Sequence, residues 1–157
     1  MTEKILIPLN GSRADDAAIS QITKLINEIK PGEKTEIIIF EVLKPPVKHI
    51  PVEGGTFDIY GDVDEIRLMK NTAFGYLKRT AQQLQRMGFL VSYEVVVSRT
   101  DESRIDTIIR SEKELGGNLI AMSVPEKNWY TRRAVEREAE KVLNNGLIPV
   151  IMVAAHN

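Results

Sequence analysis

The residues able to do chemistry gather at two places in the 157-residue chain. The first is Pro8-Leu9-Asn10-Gly11-Ser12-Arg13-Ala14, an apolar run that ends in a glycine and a hydroxyl. Glycine permits a tight strand-to-helix turn, and free N–H groups where a helix begins can meet an anion. The same residues also describe a plain turn with Ser12 as helix N-cap. The second place runs from Ser123 to Arg137. Lys127, Arg132, Arg133 and Arg137 supply cations there, and Trp129 and Tyr130 supply aromatic faces. Arginine can clamp a phosphate through two parallel N–H bonds without a glycine cradle. Arg132 and Arg133 stand beside Glu136, Glu138 and Glu140, however, and mixed charge on a helix also describes a solvated face. Trp129, the only tryptophan, suits either a contact with a protein partner or a fold back onto the core.

Other chemistries find little support. The chain has no cysteine, which excludes disulfides, thiol catalysis and thiolate metal sites. His49 and His156 are the only histidines and lack metal-ligand spacing to Asp or Glu, so no metal is expected. Gly11-Ser12 lacks the surroundings of a nucleophile elbow, and neither a Walker A sequence nor a Rossmann glycine fingerprint occurs. Asp62, Asp64 and Glu65 read as favourable charge at a helix start. The net charge of −1, from 21 basic and 22 acidic residues, gives no electrostatic reason to bind nucleic acid or an anionic membrane. The first apolar run is too short for a signal peptide and no stretch approaches membrane-spanning length, so a cytoplasmic protein is expected.

The elements that must position these residues follow from periodicity. Lys4–Leu9 reads as a strand, and Ala18, Ile22, Leu25 and Ile29 give the next segment one helical apolar face, with Asp15 and Asp16 in its first turn. Thr35–Leu43 (TEIIIFEVL) is nearly continuous in apolar character, as a strand covered on both faces should be. Residues 44–62, with Pro51, Gly54, Gly55 and Gly61 after Pro45-Pro46, show no period and read as a long loop, more mobile than functional. A long amphipathic helix carries Ile66, Met69, Ala73, Leu77, Leu84 and Met87 and stops at Gly88. Phe89–Val97 is a strand whose Ser92 and Glu94 mark it as an edge. Asp101 and Glu102 open a third helix with Ile105, Ile108, Ile109 and Leu115 inward, closed by Gly116-Gly117. Asn118–Val124, a polar loop, a helix from about Thr131 to Asn144 with Val135, Ala139, Val142 and Leu143 inward, and Ile148–Ala154 complete the chain. This β-α-β-α-β-α-β-α-β order predicts one α/β domain over 1–157, a parallel sheet with helices on both faces. Ligands of such sheets bind beyond the carboxyl ends of the strands where strand order reverses.

KILIPLNGS before an alanine-containing helix, together with NLIAMS and the closing AEKVLNNGLIPVIMV, resembles the universal stress protein family over essentially the whole chain. The resemblance implies a five-stranded parallel sheet of order 3-2-1-4-5 (adenine nucleotide alpha hydrolase-like) and a homodimer through the last strand, at Val150 and Met152. It also implies a nucleotide site. ATP-binding members carry Gly-x2-Gly-x9-Gly-(Ser/Thr) from the fourth strand into the last helix. Laid on this chain through Ala139-Glu140-Lys141-Val142-Leu143, those positions fall on Ser123, Glu126, Glu136 and Arg137. The spacing persists, but side chains stand where glycines would let a triphosphate approach, and two are carboxylates that repel it. Pro125 removes a further N–H donor. Asn10 stands where ATP-binding members carry aspartate, while Pro8 and Val42 match the adenine side. The resemblance therefore implies a non-enzymatic stress-response protein without standard ATP binding and without a cofactor, acting through protein contacts. The alternative is an ATP-binding member that uses the basic segment Lys127–Arg137 in place of glycines. An adenine-nucleotide enzyme of a related superfamily would need a Ser-Gly-Gly pyrophosphate loop after strand one, which is absent.

Overall fold

A computed structural model describes residues 3–11, 13–29, 34–125, 129–146 and 148–155. Strand β1 (Glu3–Leu9) leads into helix α1 (Arg13–Ile29), and β2 (Thr35–Leu43) into a hairpin of β3 (Val47–Val52) and β4 (Gly55–Tyr60). Then follow α2 (Val63–Arg86), β5 (Leu90–Val97), α3 (Arg104–Leu115), β6 (Leu119–Pro125), α4 (Trp129–Asn145) and β7 (Val150–Ala155). Five strands form one parallel sheet in the order β5-β2-β1-β6-β7. With the hairpin set aside, this is the order 3-2-1-4-5. It reverses between β1 and β6, so the ends of those two strands frame the crevice where ligands of such sheets bind.

Strand alternation sorts the core into two layers. Ile5, Ile7 and Leu9 of β1 and Ile37 and Ile39 of β2 face α1 and α2, meeting Ile19, Ile22, Leu77 and Leu84. Leu6, Ile38 and Phe40 face the other way, with Ile105 and Ile108 of α3 and Ala139 and Val142 of α4. Burial on both faces explains the unbroken apolar run of β2. On β5, Ser92 and Glu94 are exposed between half-buried neighbours, as its edge position requires.

Three expectations need correction. Most of the segment 44–62 is an antiparallel ribbon: Ile50 pairs with Phe57 and His49 with Asp58, around a turn in which Gly54 adopts φ +89°. Its apolar residues do alternate, with Ile50, Val52, Phe57 and Ile59 on one face, but that face stays exposed and Pro51 interrupts the pattern. Leu143 is 56% exposed, because Ala139 and Val142 already occupy the inward stripe of α4. Helix α4 begins at Trp129, two residues before the expected start, so Trp129 opens a helix and does not sit in a loop.

The start of α3 also differs from expectation. Ser103 is its N-cap, closing a capping box with Asp106, and Glu102 does other work. Its carboxylate accepts Arg110 Nε and Nη2, each at 2.8 Å, and the backbone N–H of Arg99 at 2.8 Å. The Arg110 bonds, helped by the Arg99 N–H and opposed by burial, lower the Glu102 pKa from 4.5 to about 2. A depressed carboxyl stabilises the fold fully above its unfolded pKa and loses that contribution as pH falls towards its folded value. Glu102→Gln is therefore expected to lose roughly 1–2 kcal/mol at neutral pH. Its deficit relative to the parent should shrink between pH 4.5 and pH 2. Urea melts across that window check this, and a deficit independent of pH would rule it out.

Candidate functional site

The β1–α1 turn and the end of β6 do meet. Pro8, Asn10 and Ser123 line one crevice, joined by Asp15, Arg104, Met122, Val135 and Glu138. Pro8 is buried, Ser123 half-buried and Asn10 exposed. Val42 belongs to the core layer beneath α3 and does not line the crevice. Glu136 is half-buried and Arg137 and Arg133 are exposed on α4, and none of the three lines it. Glu126 and Lys127 lie outside the described residues, as does Ser12, and so do the side chains of Trp129 and Arg132.

The crevice is small, about 60 Å³. Arg104, from the first turn of α3, reaches Glu138 on α4 at 3.1 Å and ties the two helices together at its wall. Sites for molecules the size of a nucleotide enclose about 300–1,000 Å³. The crevice that the described residues bound is well below that range.

The turn itself carries an internal anion. Asp15, only 2% exposed, accepts the N–H of Asn10 at 3.0 Å and of Gly11 at 2.8 Å, and the Tyr76 hydroxyl at 2.7 Å. All three bonds converge on Oδ2. Two N–H groups of this turn therefore already serve a carboxylate, which favours the plain-turn reading of the segment. Asp15 is more than first-turn charge, since it fastens the turn to α2. Burial, and then the bond to Asp15, push the Tyr76 hydroxyl pKa far up, so the phenol stays protonated as the donor.

A second and larger cleft opens on the opposite side of this turn, above the α1–α2 face of the sheet. It encloses about 540 Å³ and is lined by Asn10, Gly11, Glu41, Leu43, Leu68, Met69, Thr72, Ala73, Tyr76 and Arg79. Glu41 follows Ile37 and Ile39 in the strand alternation, so it points under α2 while Val42 points under α3. Its Oε2 is buried with no hydrogen-bond partner. Burial, with the nearby Asp15 charge, raises its pKa above the usual carboxyl value. A charged residue straight after the apolar run Ile37–Phe40 of a central strand was the available sequence signal for this position. Nothing local in the sequence announced Tyr76, Arg104 or Glu138.

His49 and Asp58 pair on the exposed hairpin, and Asp62 caps α2 by accepting the Glu65 N–H at 2.7 Å. Among the described residues no group of three or more acidic or histidine side chains is placed to hold a metal ion. No described helix is long and apolar enough to cross a membrane.

No protein-family model matches the chain, and no curated protein matches it by sequence. Solved structures do match. A universal stress protein family member from Burkholderia pseudomallei aligns with TM-score 0.67 at 18% identity, over 96% of this chain and 95% of that one. The universal stress protein UspA from Lactobacillus plantarum aligns with TM-score 0.63 at 17% identity, over 96% and 97%. An Arabidopsis thaliana universal stress protein family member, solved with AMP bound, aligns with TM-score 0.60 at 12% identity, over 98% and 92%. From end to end, this chain has the fold of the universal stress proteins.

Proposed function

We propose that this protein is a non-enzymatic member of the universal stress protein family that does not bind ATP in the family's usual site and acts through protein contacts. One observation carries the reading: the crevice at the strand-order reversal is about 60 Å³ and walled by the Arg104–Glu138 pair. Ser123 lies in that crevice, and Asp15 takes two N–H groups of the turn beside it. The exposed apolar face of the hairpin, with Phe57 60% exposed, supports action through contacts with other proteins. Titration with ATP and Mg²⁺ against a salt-matched control tests the reading by thermal melting. A ligand at a hundred times its Kd adds about 2.7 kcal/mol to stability. No shift is expected at millimolar ATP. A saturable shift would overturn the reading in favour of ATP held by the basic segment, a reading supported by the AMP-bound Arabidopsis structure.

We also propose a homodimer through β7, in the cytoplasm. Strand β7 pairs with β6 on one side and ends the sheet on the other, with Met152 43% exposed and Val150 half-buried. Unpaired N–H and C=O groups on such an edge recruit another strand. Met152→Lys is expected to give monomer mass by light scattering with an unchanged melting profile at low concentration. A dimer that persists in this variant places the interface elsewhere.

A further inference from the structure

The cleft between β2 and α2 is built unlike the crevice at the strand-order reversal. It has the volume of a small-molecule site, about 540 Å³. Leu43, Leu68, Met69 and Ala73 give it apolar walls, and Glu41 stands at its inner end. A carboxylate with a buried, partnerless oxygen is expensive to keep, and a native structure retains one where something else satisfies it. No described cation pairs with Glu41. Asp15 lies close enough to act on it electrostatically and adds negative potential at the same end. The donors nearby are already committed: Tyr76 and the N–H groups of Asn10 and Gly11 give to Asp15, and the Thr72 hydroxyl gives to the Leu68 carbonyl at 3.0 Å. Arg79 is the cation that lines the cleft, and it is exposed. Gly11, at φ +80°, borders this end, and a Cβ there would make ordinary contact with Glu41 Oε1 at 3.6 Å.

We propose that this cleft is a binding site for a small organic cation, a primary ammonium on an apolar stem, whose head meets the Glu41 carboxylate and whose stem lies along Leu43, Met69 and Ala73. The chemistry follows from the lining. A half-buried carboxylate with one partnerless buried oxygen is best satisfied by a group that brings both charge and N–H bonds, and an ammonium brings three donors. An anion or a neutral acceptor gains nothing from Glu41 and is repelled by Asp15 behind it. The apolar walls favour an alkyl or aryl stem over a polyamine, which would bring a second charge towards Arg79.

Phenethylamine is a suitable probe, with 2-phenylethanol and phenylacetate as shape-matched controls, read by amide chemical shifts of Gly11, Leu68 and Ala73 in the full-length protein. Saturable shifts with a Kd of about 1 mM or tighter are expected for the amine. The two controls should bind at least tenfold more weakly. Glu41→Gln, which keeps the shape, should weaken the amine at least tenfold. Thr72→Trp, at an exposed position on the cleft wall, should block binding while leaving the melting temperature within a few degrees. Affinity should fall as pH is lowered through the raised Glu41 titration, because the amine stays charged while the carboxylate is neutralised; the other groups facing this end are Asp15, Tyr76 and Arg79. The proposal is overturned if the amine produces no saturable shifts, if the alcohol binds as tightly, or if a folded Glu41→Gln protein binds the amine unchanged. None of these outcomes bears on whether ATP enters the crevice beside β6, so the two readings fail separately.

Discussion

Replacing Asp15 by alanine is expected to remove about 3 kcal/mol of stability, since each orphaned hydrogen-bond donor costs about 1 kcal/mol or more. The residue is 2% exposed, and its Oδ2 alone accepts the N–H of Asn10, the N–H of Gly11 and the hydroxyl of Tyr76. Alanine removes the one acceptor that all three donors share. Because the bonds converge on one oxygen, asparagine can offer an acceptor in the same place without the charge. Asp15→Asn should therefore lose roughly 1–2 kcal/mol, between the parent and alanine, as neutral bonds are weaker than charge-assisted ones. Tyr76→Phe, which removes one donor and leaves the others served, should cost about 1 kcal/mol. Equilibrium urea unfolding of the three variants gives the ranking. An alanine variant within 1 kcal/mol of the parent would show that water replaces the carboxylate, and the turn would then be free to meet an external anion after all.

Replacing Gly117 by alanine is expected to cost about 2–3 kcal/mol through overpacking. A Cβ at this position falls inside contact distance of Leu6 Cγ and stands 2.6 Å from its Cδ1. Leu6 is wholly buried in the layer beneath α3 and α4, wedged among Ile38, Ile120 and Ile108, so it has nowhere to turn. The neighbouring Gly116 is a glycine for a different reason. It ends α3 in the left-handed region at φ +72° with open space around it, and alanine there should cost only about 1 kcal/mol of backbone strain. The pair separates the two effects, with chemical denaturation as the readout. Equal costs at the two positions would mean that Leu6 and its layer relax, and that packing does not select Gly117.

Much of this was legible in the sequence. The continuous apolar run of TEIIIFEVL and the broken alternation of Phe89–Val97 correctly placed a central and an edge strand, because burial on two faces or one leaves a local mark. Helices α2 and α3 appeared through residues at helical spacing, and all of Ala73, Leu77, Leu84, Ile105 and Ile108 are buried. The hairpin escaped because its alternation is short, its apolar face stays exposed, and Pro51 and the glycines looked like loop residues. The substituted glycine motif was visible at Ser123, Glu136 and Arg137, yet only Ser123 among them reaches the crevice.

The sequence by itself determined the alternation of strands and helices, the parallel class of sheet and the family it resembles, since each rests on short-range periodicity and turn chemistry. Only the tertiary structure decided what stands opposite what. Asp15 and Tyr76 are 61 positions apart, and Arg104 and Glu138 are 34 apart. No local pattern encodes either meeting, because each depends on how whole elements pack across the sheet. The same packing leaves Glu41 without a partner, and so sets a 540 Å³ cleft beside a nearly closed crevice.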